Sequence, residues 1–215
     1  ASSRTNSCCA ALTTDCLVVW WARTSSVIAR THPLVGIRYE KYNAVLRFFA
    51  VKNKDGSVRI EYASEAGVPF LQKQCHELCM GNSYSTTLHA INSSIVKLSK
   101  LTVATKVYRG VSGGILPKQF WEPNAQNVRG GVELSFMSTT TSRDVALQYA
   151  ARGSGLVLEV QMGMIDRGAD LAWVSQYPHE REYLFAPLTG IEVLSHRVEE
   201  DLLVVSVRPS VNLNA

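Results

Sequence analysis

The stretch from Gly130 to Ala150 reads GGVELSFMSTTTSRDVALQYA, and it decides the class of fold. Its first part, Val132–Met137, is a short run of apolar and β-branched residues that predicts a strand. Thr141-Ser142-Arg143-Asp144 reads as a capping box and is followed by apolar residues at helical spacing. Between the two elements stands a cluster of hydroxyl side chains. We therefore expect a strand, a polar corner and a helix in succession.

Short apolar runs lie on both sides of this stretch, separated by Gly, Pro and polar turns. We predict seven strands: Lys106–Arg109, Val132–Met137, Leu156–Met162, Leu171–Val174, Glu182–Phe185, Ile191–Leu194 and Leu202–Val207. Only the helix after the capping box interrupts them convincingly. Many strands with little helix between them favour a mostly antiparallel, two-sheet β-sandwich over a doubly wound parallel sheet.

The residues before this half favour helices instead. Three segments show helical periodicity: one from Tyr39 with an apolar face through Phe49, one from near Pro69 to Gly81, and one over about Ser85–Ser99. The turn signal Asn53-Lys54-Asp55-Gly56 predicts a small hairpin between the first two. We divide the chain into a loosely structured lead-in (residues 1–35), an α-helical lobe (36–105) and a β-sandwich core (106–215). The fold class is α+β, with the helical lobe packed on the sandwich.

Composition excludes several classes of protein. Of the 215 residues, 46% are hydrophobic and 19% are charged, as in an ordinary globular domain. The longest apolar run, Leu17–Ala22, is far shorter than the roughly 20 residues of a membrane-spanning helix. No Gly-rich phosphate loop of the P-loop or Rossmann type occurs. We expect a soluble monomer without a membrane span.

The net charge of +4 is distributed unevenly along the chain. Residues 1–107 carry 13 Lys and Arg against 6 Asp and Glu, a charge of +7, whereas residues 108–215 carry 9 against 12, a charge of −3. The basic half is either a solvated face or a surface that attracts an anionic ligand or partner. A total of +4 is too small by itself to indicate nucleic-acid binding, and we expect no nucleic-acid partner.

The cysteines point away from disulfides and metal. The five are Cys8, Cys9, Cys16, Cys75 and Cys79, an odd number without the spacing of a disulfide framework. Such usage favours a reducing, cytoplasmic compartment, although it leaves the localisation unknown. Cys75 and Cys79 offer two thiols one helical turn apart, but a zinc site needs four ligands and none nearby completes the set. We expect no metal site, and interpret the pair as small buried hydrophobic side chains.

Three spots in the β half carry residue types that suit chemistry. Arg109-Gly110 ends a short strand, where the guanidinium can fork onto two phosphate oxygens and the glycine allows a ligand close approach. The hydroxyl cluster Ser138–Thr141 suits helix capping and a binding site alike. Glu180 and Glu182 are two residues apart, which in an extended chain places both carboxylates on one face at roughly 7 Å. Such a pair suits a cationic substrate or a positive transition state.

Together and in this order, the three spots resemble a known signature. Arg109, Ser138-Thr139-Thr140 and Glu180-x-Glu182 are similar to the Arg…Ser-Thr-Ser…Glu-x-Glu pattern of the arginine-specific mono-ADP-ribosyltransferases of the cholera-toxin-like class. The resemblance covers about Lys106–Val207, and the preceding helices resemble that family's amino-terminal lobe more loosely. Thr140 stands where Ser is more usual, which keeps a hydroxyl. An Arg rather than a His in the first motif argues against the diphtheria-toxin and poly(ADP-ribose) polymerase branch.

The resemblance implies that NAD is the co-substrate and that breaking its bond to nicotinamide creates an oxocarbenium-like cation. Arg109 then takes the phosphates of NAD, and the backbone of Gly110 faces the nicotinamide amide. Ser138 orients Glu182, and Glu182 bonds a ribose hydroxyl and stabilises the cation.

The same resemblance assigns the acceptor side of the site. Thr139 and Thr140 brace the strand-to-helix corner. Glu180 faces the incoming nucleophile, which for this class is an exposed arginine of another protein. Tyr177 stands where the family often carries an aromatic residue for acceptor recognition.

Two other functions stay open at this level. The same constellation serves an NAD glycohydrolase in which water is the acceptor. The scaffold also suits a non-catalytic binding module, against which the intact Arg109, Ser138 and Glu182 argue.

Overall fold

The helical lobe comes first in the chain. A computed structural model describes residues 33–50, 67–112, 116–150, 155–175 and 178–211. The lobe contains three helices: α1 (Pro33–Ala50), α2 (Gly67–Cys79) and α3 (Ser85–Ser99). All three predicted helices are confirmed, although α1 already begins within the predicted lead-in and α2 begins two residues before Pro69. Residues 1–32 and the hairpin predicted at Asn53–Gly56 lie outside the described residues.

Apolar side chains hold the lobe together and attach it to the sheet. Ala44 and Val45 of α1 pack with Cys79 of α2 in one buried cluster. Ile95 of α3 is buried in a second cluster with Phe136 and residues of the sheet. Burial of such faces supplies most of the stability of helices of this length. The lobe therefore packs against the part of the second half that contains Phe136, Ala169 and Leu184.

The second half of the chain forms one large sheet. Its eight strands are β1 (Lys106–Ser112), β2 (Gly130–Glu133), β3 (Met137–Thr140), β4 (Gly155–Gln161), β5 (Ala169–Asp170), β6 (Glu182–Phe185), β7 (Thr189–Glu199) and β8 (Leu202–Ser210). They lie in the order β2-β7-β8-β4-β1-β3-β6-β5. All neighbours are antiparallel except β4 and β8. The predicted α+β fold with a mostly antiparallel sheet is confirmed.

β1 and β3 share fewer paired residues than any other two neighbouring strands of the sheet. A single register pair, Tyr108 with Thr140, joins these two strands, whereas seven pairs join β1 to β4. The arrangement therefore separates β2-β7-β8-β4-β1 from β3-β6-β5 around one junction. The packing of these parts as two distinct sheets stays a prediction.

Two of the seven predicted strands differ from the structure. The run Val132–Met137 is divided, because residues 134–136 leave β2 and cross to β3. The run Leu171–Val174 is a turn, and the strand lies just before it in β5. The Asp170 carboxylate accepts a hydrogen bond from the backbone N–H of Ala172 at 2.9 Å, which bends the chain as Asp commonly does in turns. The β-branched and aromatic residues of this segment suit a strand by propensity, and the turn overrides that preference.

Two helices belong to the sheet region. They are the short α4 (Lys118–Trp121), which the periodicity did not indicate, and α5 (Arg143–Ala150). The predicted α5 is confirmed, but its cap is Ser142 rather than Thr141. Ser142 Oγ accepts a hydrogen bond from the Val145 N–H at 3.4 Å, as an N-cap hydroxyl does three residues before its donor. The corner between β3 and α5 is thus one residue longer than the capping box indicated.

Candidate active site

The hydroxyl cluster lies on β3, in the interior of the protein. Ser138, Thr139 and Thr140 are all buried, because β3 is an inner strand between β1 and β6. Thr139 Oγ1 donates a hydrogen bond to the Tyr183 carbonyl at 2.8 Å, and Thr140 Oγ1 donates to the Glu180 carbonyl at 2.6 Å. The two threonines therefore attach the start of β6 to the corner after β3.

Ser138 and Glu182 are diagonal neighbours on one face of the sheet. Ser138 pairs with Leu184, so that Glu182 lies two residues along on the same face. The Ser138 hydroxyl donates a hydrogen bond to Glu182 Oε1. Only 4% of Glu182 is exposed, and this burial raises the pKa of its carboxyl to about 7. The bond from Ser138 opposes that rise by stabilising the ionised form.

Arg109 on β1 completes a buried group with these two residues. It is 3% exposed, and its Nη1 donates a hydrogen bond to the Ser138 carbonyl at 2.7 Å. Its positive charge also lies close enough to Glu182 to oppose the rise in the pKa of that carboxyl. The structure therefore brings together the first residue of each of the first two motifs and the last residue of the third.

Glu180 lies beside Glu182, but not by the geometry of an extended chain. Glu180 ends a 3₁₀ helix (Pro178–Glu180), and Arg181 has a φ of 46°, in the left-handed region. The prediction that Glu180 and Glu182 lie on one face of an extended chain was therefore wrong. Glu180 is nevertheless buried, at 5% exposure, and its negative charge contributes to the raised pKa of Glu182. Burial also raises the pKa of Glu180 itself, while the nearby His179 lowers it.

Gly110 packs tightly against the backbone of α5. A Cβ added there would lie 1.9 Å from the Ala146 carbonyl oxygen of α5, far inside van der Waals contact. A glycine is required at this position because the helix backbone crosses the strand closely. Helix packing by itself thus accounts for the glycine, which the sequence argument had attributed to the approach of a ligand. Tyr177 lies outside the described residues.

A further charged pair near the site was not found from the sequence. Glu133 at the end of β2 is buried and accepts a hydrogen bond from the Ser135 hydroxyl, which in turn accepts one from Arg47 of α1. Sequence offers one signal for Glu133, which is a carboxylate between two apolar residues of a predicted strand. No local signal exists for Arg47, because it lies 86 positions from Glu133 in the sequence.

The described residues contain no group of three or more His, Cys, Asp or Glu side chains that could hold a metal ion. Cys79 is buried and Cys75 is half-buried. Burial raises the pKa of Cys79 to about 11, and it also raises the pKa of Cys75. Both thiols therefore stay protonated near neutral pH. No helix within the described ranges is long and apolar enough to cross a membrane.

Comparison with known proteins identifies the family. A family model described as NAD:arginine ADP-ribosyltransferase matches residues 72–210, which is more than half of the chain and includes the site from Arg109 to Glu182. No curated protein sequence matches the chain.

Solved structures of several ADP-ribosyltransferases are similar to the chain. The ADP-ribosyltransferase HopU1 of Pseudomonas syringae pv. Tomato DC3000 is 21% identical, with a TM-score of 0.49 over 59% of this chain and 54% of that one. Vis toxin, an ADP-ribosyltransferase from Vibrio splendidus, is 17% identical, with a TM-score of 0.49 over 80% of this chain and 69% of that one. The chain thus spans about half the length of HopU1.

Proposed function

Because the chain belongs to the NAD:arginine ADP-ribosyltransferase family, we propose that it transfers ADP-ribose from NAD to an arginine side chain of another protein. The bond between the anomeric carbon of the ribose and the nicotinamide nitrogen breaks, and its electron pair neutralises the pyridinium ring. A guanidinium nitrogen of the acceptor then bonds to the anomeric carbon and loses a proton. Nicotinamide is the other product.

One observation carries the proposal: Arg109, Ser138 and Glu182 form one buried, hydrogen-bonded group. A site that cleaves NAD must anchor the diphosphate and place an anion beside the positive charge that develops on the ribose. Arg109 supplies the cation and Glu182 the anion, and Ser138 bonds to both residues. Burial strengthens each of these interactions because little water screens them.

The individual roles in this proposal are those that the resemblance to the family implies. The Arg109 guanidinium receives the diphosphate through paired hydrogen bonds, and the Gly110 backbone faces the nicotinamide amide. Glu182 accepts a hydrogen bond from a ribose hydroxyl and stabilises the cation. Ser138 holds the Glu182 carboxylate in place, while Thr139 and Thr140 keep the adjoining corner closed around the site.

In this proposal Glu180 orients the acceptor arginine and removes its proton. A protein guanidinium is almost fully protonated at neutral pH and is then a poor nucleophile. A carboxylate orients it through two charge-assisted hydrogen bonds and removes its proton as the new bond forms. The raised pKa of Glu180 makes it a stronger base than an exposed glutamate. Tyr177, near Glu180 in sequence, contacts the acceptor in this proposal.

The test is the Glu180→Gln variant, assayed for arginine-linked and for free ADP-ribose. We expect transfer to arginine to be lost while NAD hydrolysis stays measurable, because water needs no carboxylate to align it and Glu182 still serves the cleavage step. Glu122→Gln, an exposed glutamate paired with Lys118, is the matched control and should leave both activities unchanged.

Three results would contradict the proposal. If both activities fall together, Glu180 belongs to the NAD-cleavage step instead. If the unmodified protein hydrolyses NAD and never modifies arginine, water is the acceptor and the protein is an NAD glycohydrolase. A protein that neither hydrolyses nor transfers from NAD is a binding module.

A further inference from the structure

The helical lobe bonds directly to the crossing (residues 134–136), the segment that leads from β2 into β3. The Phe136 N–H donates a hydrogen bond to Asn43 Oδ1 of α1 at 3.2 Å, and Arg47 Nη2 of α1 donates to Ser135 Oγ at 3.0 Å. All four residues are buried. The contacts join parts of the chain that lie 93 and 88 positions apart. One turn of α1 thus holds the crossing at two successive residues.

The crossing lies outside the strand ladder, so its buried backbone groups need partners from other elements. Asn43 is such a partner for the Phe136 N–H, and a buried N–H left unpaired costs free energy. The Ser135 hydroxyl also donates to Glu133 Oε1 at 2.7 Å, which ties the crossing to the end of β2. α1 and β2 therefore hold the crossing from two sides.

Ser138 follows the crossing by two residues and makes two contacts of the proposed site. Its hydroxyl donates to the Glu182 carboxylate, and its carbonyl accepts a hydrogen bond from Arg109 Nη1 at 2.7 Å. Two residues of extended chain span roughly 7 Å. A shift at Phe136 therefore reaches Ser138 with little intervening chain to absorb it.

The pairing of β3 leaves its first residues dependent on the crossing. The register pair that joins β1 to β3, Tyr108 with Thr140, lies at the end of β3 away from the crossing. β6 pairs with all four residues of β3. The position of Ser138 relative to Arg109 of β1 is thus set by β6 and by the crossing together.

We infer that Asn43 and Arg47 are positioning residues for catalysis, which hold the crossing so that Ser138 meets Glu182 and Arg109. This inference rests on the proposed function, in which Ser138 holds the Glu182 carboxylate. In this role the two side chains act through the crossing and not by contact with NAD. The helical lobe then contributes to the reaction as well as to the stability of the fold.

Asn43→Leu in the full chain tests the inference, because leucine has a similar size and accepts no hydrogen bond. Displacement of a catalytic group by a fraction of an ångström slows the reaction, and we expect kcat for nicotinamide release to fall about 10-fold. The pH midpoint of kcat/KM should also rise, because a weaker bond from Ser138 and a more distant Arg109 both disfavour the ionised Glu182. Carbon NMR of the Glu182 carboxyl should show the same rise. A midpoint that stays in place overturns the inference, even if kcat falls.

Val45→Ala is the matched control. Val45 is also a buried residue of α1, and it packs with Cys79 of α2 in the cluster that holds the lobe together. Its truncation should lower the melting temperature without moving the midpoint. A midpoint that rises equally in both variants indicates a general effect of loosening α1 and overturns the role of the two polar contacts.

The unmodified protein and one more variant separate the possible failures. If the unmodified protein releases no nicotinamide from NAD, the proposed function fails and the positioning role fails with it. If it is active and Asn43→Leu keeps both its kcat and its midpoint, the inference fails and the proposed function stands. Should Asn43→Leu not fold, Ser135→Ala, which removes the contact with Arg47 at the crossing itself, must raise the midpoint for the inference to hold.

Discussion

Glu182 is a buried glutamate and also the proposed catalytic residue. It is nearly inaccessible to water, it accepts a bond from Ser138, and Arg109 and Glu180 both act on its charge. An amide of the same size cannot supply the negative charge that an oxocarbenium needs. We predict that Glu182→Gln lowers turnover at least about 100-fold, the effect of one lost electrostatic contact in a buried site. NAD affinity, measured by calorimetry, should stay nearly intact, and near-normal turnover would remove Glu182 from the catalytic role.

The pKa of Glu182 leads to a second prediction at the residue scale. Burial raises it to about 7, so the carboxyl is neutral below that pH and ionised above it. Because the ionised form is the active one, kcat/KM for nicotinamide release should fall about tenfold per pH unit below about pH 7 and level off above it. Ser138→Ala removes a bond that lowers this pKa, and the midpoint should then move to higher pH. A profile that is flat through pH 7, or a midpoint that Ser138→Ala leaves in place, would contradict the prediction.

At the scale of elements, α5 packs closely against β1 because residue 110 is a glycine and has no side chain. Gly110 allows the backbone of α5 to cross β1, and a methyl group there would lie 1.9 Å from the Ala146 carbonyl oxygen. Backbone cannot move aside as a flexible side chain can. We predict that Gly110→Ala destabilises the protein by several kcal/mol, about 3 or more, as strained overpacking does. Gly163→Ala is the control: no atom lies within 4 Å of an added Cβ, and its stability in urea should change by less than about 0.5 kcal/mol.

The third motif is divided between two elements. Glu180 belongs to a 3₁₀ helix and Glu182 to β6, with Arg181 in a left-handed conformation between them. A non-glycine residue with positive φ is uncommon and holds a small amount of strain. The Thr140 hydroxyl bonds to the Glu180 carbonyl at this point and helps to keep the turn in place. A tertiary contact with β3 thus helps to hold the turn that joins the two glutamates.

At the scale of the whole molecule, the site lowers the stability of the fold. Folding takes Glu182 from an ordinary pKa of 4.5 to about 7, so the folded state binds its proton more tightly. Stability contributed by that proton is present at low pH and is lost as pH rises from about 4.5 through 7. The loss approaches roughly 3 kcal/mol above pH 7.

Glu182→Gln should remove this pH-dependent loss. We predict that the variant melts about 5 °C or more above the unmodified protein at pH 8, and that the difference largely disappears near pH 5. Glu122→Gln, at an exposed glutamate, should match the unmodified protein at both pH values. An E182Q variant that is less stable at pH 8 would contradict the prediction.

Local patterns in the sequence determined most of the elements. The spacing of apolar residues predicts α3 at the bounds that the structure has, and a short apolar run predicts β6 at its bounds. These features depend on side chains close together in sequence, and their periods of 3.6 and 2 residues can be read directly. The order of the three motifs likewise selected Arg109, Ser138 and Glu182 as candidates before their distances were known.

Only the tertiary structure decided how the candidates meet. The pairing of β3 with β6 brings Ser138 to Glu182, and burial by the surrounding elements raises the pKa of that carboxyl. Glu133 and Arg47 come together over a long sequence separation, which no local period records. Contacts between distant segments depend on how whole elements pack, and buried charges gain their properties from the resulting exclusion of water. The sequence alone thus determined which residues are candidates for chemistry, and the packing decided their surroundings.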